Sequence, residues 1–146
     1  MEFDFKFKGK HHCHTAILMC VDFRFNSEIL KFISDELKVA AYDLWAFPGA
    51  AKAITDEPAR ELFLAKLKAV GVDLHSMEEV IIVNHADCGA YGGRKAFSSL
   101  QEETAAHKKD LEEAKRLLES SIPGIKVRLV YADLDEETEK VFIDVV

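Results

Sequence analysis

The run Glu79-Val80-Ile81-Ile82-Val83-Asn84 sets the tightest limit on the fold, because its four central residues leave a strand no polar face to turn toward water. Such a strand needs cover on both sides. Thr15-Ala16-Ile17-Leu18-Met19-Cys20 has the same character and is expected to be central in the sheet. Cover comes from stretches with helical spacing. Asn26 or Ser27 can cap a helix reaching about Lys38, with Ile29, Leu30, Ile33 and Leu37 as its apolar stripe. A second helix is expected from near Asp56, with Pro58 in its first turn; it buries Ala59, Phe63, Leu67 and Val70 and stops at Gly71. Ser99 and Glu102, spaced as a capping box, open a long third helix whose stripe is Leu100, Thr104, His107, Leu111, Ala114 and Leu118.

Between and after these helices, Val39 to Phe47, Ile125 to Asp133 and Lys140 to Val146 read as further strands. Phe3, Phe5 and Phe7 alternate with charged residues, so Met1 to Lys8 reads as a half-exposed edge strand. Strand, helix, strand, helix, strand in this order predicts an α/β fold: a mainly parallel β-sheet flanked by helices, with Lys140 to Val146 as an antiparallel edge strand. No linker or repeat interrupts it, so residues 1–146 form a single domain. In such sheets ligands collect beyond the carboxyl ends of the strands, where Cys20 and His85 both stand.

Nineteen basic and 26 acidic residues give a net charge of -7, interleaved along the chain, which excludes a nucleic-acid partner that would need a basic stripe. No apolar run approaches the roughly 20 residues that span a bilayer, and Met1 to Lys10 does not build a secretory apolar region, so no membrane partner and a cytoplasmic location are expected. Cys13, Cys20 and Cys88 are an odd number in a chain with no export signal. They are buried thiols or metal ligands rather than a disulfide framework.

Cys20-Val21-Asp22-Phe23-Arg24 and Asn84-His85-Ala86-Asp87-Cys88-Gly89-Ala90 decide between those two fates. Two thiolates and an imidazole suit zinc, and three protein ligands leave a fourth position for water or substrate. His85 and Cys88 are close enough for one turn to bring both onto one ion, while Cys20 arrives from another strand. Asp22 and Arg24, two apart on extended chain, point the same way, so the guanidinium can hold the carboxylate beside the metal. Asp87 reads as a turn aspartate bonded to nearby backbone. His75 and His107 read as surface or packing residues. His11-His12-Cys13-His14 reads as a solvated segment with incidental affinity for nickel or zinc, since consecutive residues make a poor tetrahedral cage.

At these residues the chain closely resembles the β-class carbonic anhydrases. Cys20, Asp22 and Arg24 match that family's Cys-x-Asp-x-Arg segment, and His85, Cys88 and Gly89 match its His-x-x-Cys-Gly segment. The likeness runs from about Thr15 through Ala90 and, more weakly, through Val130-Tyr131-Ala132-Asp133; Ala46-Phe47-Pro48-Gly49 stands where the family has Arg-Asn-Ala-Gly. The resemblance implies one Zn2+ per chain on Cys20, His85 and Cys88, with Asp22 orienting the nucleophile and Arg24 fixing Asp22. It implies a homodimer or dimer-based oligomer, and a lyase activity: reversible hydration of carbon dioxide to bicarbonate by zinc-bound hydroxide. Two other outcomes are consistent with the same residues. One is hydrolysis of carbon disulfide or carbonyl sulfide; the other is a non-catalytic zinc protein whose site Asp22 closes permanently.

Overall fold

A computed structural model describes residue 9 and residues 11–146; the edge strand expected at Met1 to Lys8 lies outside them. The elements follow in the order β1 (Thr15–Met19), α1 (Asn26–Asp35), β2 (Asp43–Ala46), α2 (Lys52–Thr55), α3 (Ala59–Lys66), β3 (Glu79–His85), α4 (Leu100–Ser121), β4 (Lys126–Asp135) and β5 (Lys140–Val145). The sheet order is β2-β1-β3-β4-β5; the first four strands are parallel and β5 is antiparallel to β4, as the sequence predicts.

Strand order reverses at β1, whose two neighbours are β2 and β3. The chain leaves β1 toward one edge and then crosses back over it to β3, so α1 and the later helices fall on opposite faces. Side-chain alternation sorts the core accordingly. Ile17, Met19, Ile81, Val83, Val130 and Ala132 pack with Phe25, Ile29 and Ile33 on the α1 side. Ala16, Leu18, Val80, Ile82, Val127 and Leu129 pack under Ile54, Phe63, Leu111 and Leu118 on the other. Ile17, Ile81 and Ile82 are wholly buried, and each such side chain stabilises the fold by about 1.5–3 kcal/mol relative to exposure. No helix among the described residues is long and apolar enough to cross a membrane.

Four local expectations are corrected. Neither Asn26 nor Ser27 caps α1: Phe25 holds that position, 1% exposed, and the core contact of its ring fixes where the helix begins. The strand expected over Val39 to Phe47 shortens to β2, because Lys38 takes a left-handed φ of 58° and delays the return to extended chain. The helix expected from near Asp56 to Gly71 starts later, at Ala59, and a separate short helix, α2, precedes it. Pro58, which lacks an amide hydrogen, precedes α3, and the Arg60 side chain bonds the terminal carbonyls of α2 at Ile54 (2.6 Å) and Thr55 (2.9 Å). A π-helical turn, Leu67–Val72, then carries α3 past its expected end. On α4, Ser99 caps as expected, but Leu100 is 53% exposed and the buried stripe is Glu103, His107, Leu111, Ala114 and Leu118.

Candidate metal centre

Because the strand order reverses at β1, a crevice opens beyond the carboxyl ends of β1 and β3. Cys20 directly follows β1, His85 is the last residue of β3, and Cys88 lies on the turn that follows. All three are buried, and their donor atoms lie within 4.8 Å of one another. The two sulfurs stand 3.8 Å apart. That is far beyond a disulfide bond, but it equals the separation of about 3.8 Å expected for two thiolates at tetrahedral angles on one zinc ion.

The imidazole is prepared for the same role. His85 Nδ1 donates to the Ala86 carbonyl at 2.8 Å, which leaves the lone pair on Nε2. Nε2 is buried and has no hydrogen-bond partner among the described residues, which is costly for a polar atom and suits a ligand to an ion. Phe25 packs on the ring with centroids 4.4 Å apart and prevents it from turning. The sulfurs are prepared as well. Cys88 hydrogen-bonds to Cys20 and, with the Gly49 amide at 3.3 Å, draws the Cys20 thiol down to about 4 against the opposing effect of burial; the same pairing pushes Cys88 above the usual thiol range. A divalent ion can replace the proton the two sulfurs share. Two soft sulfurs and one imidazole nitrogen fit zinc as a three-residue donor set.

Asp22 is not one of the gathered donors. Both of its oxygens face Arg24, which donates from Nε at 3.0 and 3.2 Å and from Nη2 at 2.6 Å, while the Arg24 amide adds a bond at 3.0 Å. The guanidinium holds this carboxyl below its usual pKa range. Arg24 has a second anchor: Nη1 donates to Asp87 Oδ2 at 2.8 Å, and Nη2 to the Asp87 carbonyl at 3.1 Å. Asp22, Arg24, Asp87 and Lys95 line a cleft of about 580 Å³, floored by Gly89 and Gly92.

A polar network that the sequence reading missed supports this arrangement. Asp87 is a turn aspartate bonded to nearby backbone, as expected, accepting from the Arg94 amide at 2.9 Å. Its own amide donates to Glu103 at 2.6 Å, and Arg94 Nε donates to the same carboxylate at 3.0 Å. Glu103 is 1% exposed; the available signal was an acidic residue four positions before His107 on the same helical stripe. On the other face of β3, Asn84 accepts from the Ala51 amide and donates to Tyr91 Oη and His107 Nδ1. His107 has the packing role expected of it, wholly buried against Tyr91 and Tyr131, and burial lowers its pKa to about 4.

Comparison with known proteins agrees with this geometry. A family model described as "Putative carbonic anhydrase" matches residues 10–142. An uncharacterised protein of Rickettsia bellii is 26% identical over 92% of this chain and 85% of its own. Another from Rickettsia conorii is 25% identical, over 92% and 75%. Among solved structures, β-carbonic anhydrase isoform I of Trichomonas vaginalis aligns with a TM-score of 0.51 and 17% identity, over 97% of this chain and 87% of that one. A tetrameric β-carbonic anhydrase of Sordaria macrospora aligns with a TM-score of 0.55 and 12% identity, over 92% and 82%. At these identities the two structures establish a shared fold.

Proposed function

The chain belongs to that carbonic anhydrase family, and from this premise we propose that it is a zinc-dependent lyase catalysing the reversible hydration of carbon dioxide to bicarbonate. The observation that carries the reading is the convergence of Cys20, His85 and Cys88 with an unpartnered His85 Nε2, beside an Asp22 that Arg24 holds on both oxygens. Zinc, when bound, supplies a Lewis acid that lowers the pKa of water to about 7 and makes a nucleophile available at neutral pH. Cys20, His85 and Cys88 hold the ion. Asp22 accepts a hydrogen bond from the reacting water and orients it toward carbon dioxide. Arg24 keeps Asp22 from filling the fourth position, and Asp87 keeps Arg24 aimed.

Three unpaired cysteines suit a reducing compartment, in keeping with a cytoplasmic protein. We place the active form as a homodimer or dimer-based oligomer. On the loop after Cys20, Phe23 is 83% exposed and Val21 50%, an apolar surface that a second copy would cover; the Sordaria macrospora enzymes of this fold are tetrameric.

Stopped-flow measurement of carbon dioxide hydration on zinc-loaded protein across a range of pH tests the reading. Saturable hydration that disappears with the zinc supports it. A protein that holds zinc and hydrates no carbon dioxide at any pH has a structural site or another substrate, and the proposal fails.

A further inference from the structure

The end of the sheet opposite the candidate centre carries a second concentration of metal-binding side chains. β1, β2 and β3 are parallel, so the residues before Thr15, Asp43 and Glu79 all gather at their amino ends. β1 alone separates the two ends by about 17 Å. His11, His12, Cys13, Asp43 and His75 line one cavity there, of about 510 Å³. The segment 11–14 has no regular strand geometry, which is how three consecutive side chains come to face one space. His14 is directed elsewhere, 3.4 Å from Glu78.

His75 is the fixed member of the group. Its Nδ1 lies 2.7 Å from Asp43 Oδ2, and both side chains are largely buried. A carboxylate can only accept, so Nδ1 carries the hydrogen and the neutral ring offers its lone pair at Nε2, which has no partner among the described residues. This carboxylate–histidine pairing is the one that orients and strengthens a histidine as a metal ligand. The other donors are tied to the same loop. The Cys13 amide donates to the His75 carbonyl at 2.8 Å, and His12 Nδ1 lies 3.2 Å from Ser76 Oγ. Cys13 is an unpaired thiol, and its sulfur makes a 3.5 Å contact to the Thr15 carbonyl.

We propose a second, solvent-accessible site for a divalent transition-metal ion at this end of the sheet, with His75, Cys13 and His12 as ligands and Asp43 as the group that orients His75. The donor types select a borderline ion such as Zn2+, Ni2+ or Co2+. The site is assembled by the ion: among the described residues only Cys20, His85 and Cys88 have their donors already gathered, so the exposed His12 side chain must rotate to meet His75. That ordering makes it the weaker site. Its effect is to clamp the segment before β1 onto β2 and onto the loop before β3.

Calorimetric titration with Ni2+ of protein already holding one zinc tests this, independently of any catalytic role. A second equivalent is expected. His75→Ala should abolish it, while zinc content and carbon dioxide hydration stay at the parental level. Asp43→Asn should weaken it by about 10–100-fold, the usual cost of losing the carboxylate behind a ligating histidine. With Co2+ in place of Ni2+, a thiolate-to-metal charge-transfer band should appear and be absent in Cys13→Ser. Cys88→Ser should empty the first site and retain the second. The proposal is overturned if zinc-loaded protein takes up no Ni2+ at millimolar concentration. It is equally overturned if His75→Ala binds as tightly as the parent, which would assign the affinity to the exposed histidines of 11–14 alone.

Discussion

Cys20, His85 and Cys88 at one end of the sheet, and His12, Cys13 and His75 at the other, are the same two residue types at opposite ends of the same strands. The first group is buried, its donors lie within 4.8 Å, and each is held by a neighbour: the Gly49 amide on Cys20, the Ala86 carbonyl and the Phe25 ring on His85. In the second group Asp43 anchors His75, while His12 is exposed and Cys13 half-buried on a segment without regular structure. Residue type therefore does not separate a ready site from one that must be assembled. Burial at the end of a fixed strand does, because the packed core removes the conformational freedom that an exposed segment still has to lose when it binds.

The contrast is sharpest if the two ends respond oppositely to losing one ligand. Cys88→Ser should reduce bound zinc from one per chain to near zero in elemental analysis and lower carbon dioxide hydration by more than the ~100-fold that follows loss of a supporting residue. Unchanged zinc in both Cys88→Ser and Cys20→Ser would show that the buried cluster is not the metal centre.

A second effect separates a histidine packed beneath the buried site from the exposed ones. The pKa of His107 is lowered to about 4 from 6.5, first by burial and then by His85 and Lys52. The unfolded chain therefore takes up this proton before the folded one does. Stability is complete above pH 6.5 and declines as pH falls toward 4, by about 3 kcal/mol at most. His107→Gln should remove that part of the acid sensitivity in denaturant titrations at several pH values; an unchanged pH slope would mean that His107 protonates without cost.

The third effect tests whether the pairs around the buried site do more than a surface pair does. Arg24→Ala frees Asp22 to approach the ion and should reduce carbon dioxide hydration about 10–100-fold with zinc retained. Lys31→Ala removes an exposed, solvent-screened pair with Asp35 and should leave both activity and thermal stability at the parental level. Equal activity of Arg24→Ala and the parent from acid to alkaline pH would exclude the gating role of Asp22.

The smallest effect concerns two glycines. Gly49 and Gly124 both have positive φ, 75° and 88°, but a Cβ at Gly49 would stand 2.9 Å from the Ala90 Cβ, and one at Gly124 would meet nothing within 4 Å. Gly124→Ala should cost about 1–2 kcal/mol of backbone strain. Gly49→Ala should cost about 1 kcal/mol more, and it also moves the amide that bonds Cys20. Matching losses in thermal unfolding would show that the loop around Gly49 accommodates the methyl group.

Much of the molecule was legible because it rests on short-range rules. The apolar runs from Thr15 to Cys20 and from Glu79 to Asn84 had to be buried strands, and the spacing of Leu111, Ala114 and Leu118 had to face a core. Cys20, Asp22, Arg24, His85 and Cys88 could be named because each sits at or just beyond the carboxyl end of such a strand. Where the reading failed, a distant partner decided. Phe25 rather than Asn26 holds the N-cap position of α1 because its ring packs on His85, sixty residues away in sequence. Leu100 faces water while Glu103 is buried, because Arg94 and the Asp87 amide meet the carboxylate.

The sequence by itself determined the order of strands and helices, the donor types and their place after the strands, since these follow from periodicity and from side-chain chemistry along one stretch of chain. Only the tertiary structure decided that strand order reverses at β1 so that Cys20 meets His85, that Arg24 also reaches Asp87, and that His12, Cys13 and His75 share one cavity. Apart from the neighbours His12 and Cys13, those are residues more than sixty positions apart. Their geometry is set by how the strands pair and which face each crossover covers, and no local pattern encodes that.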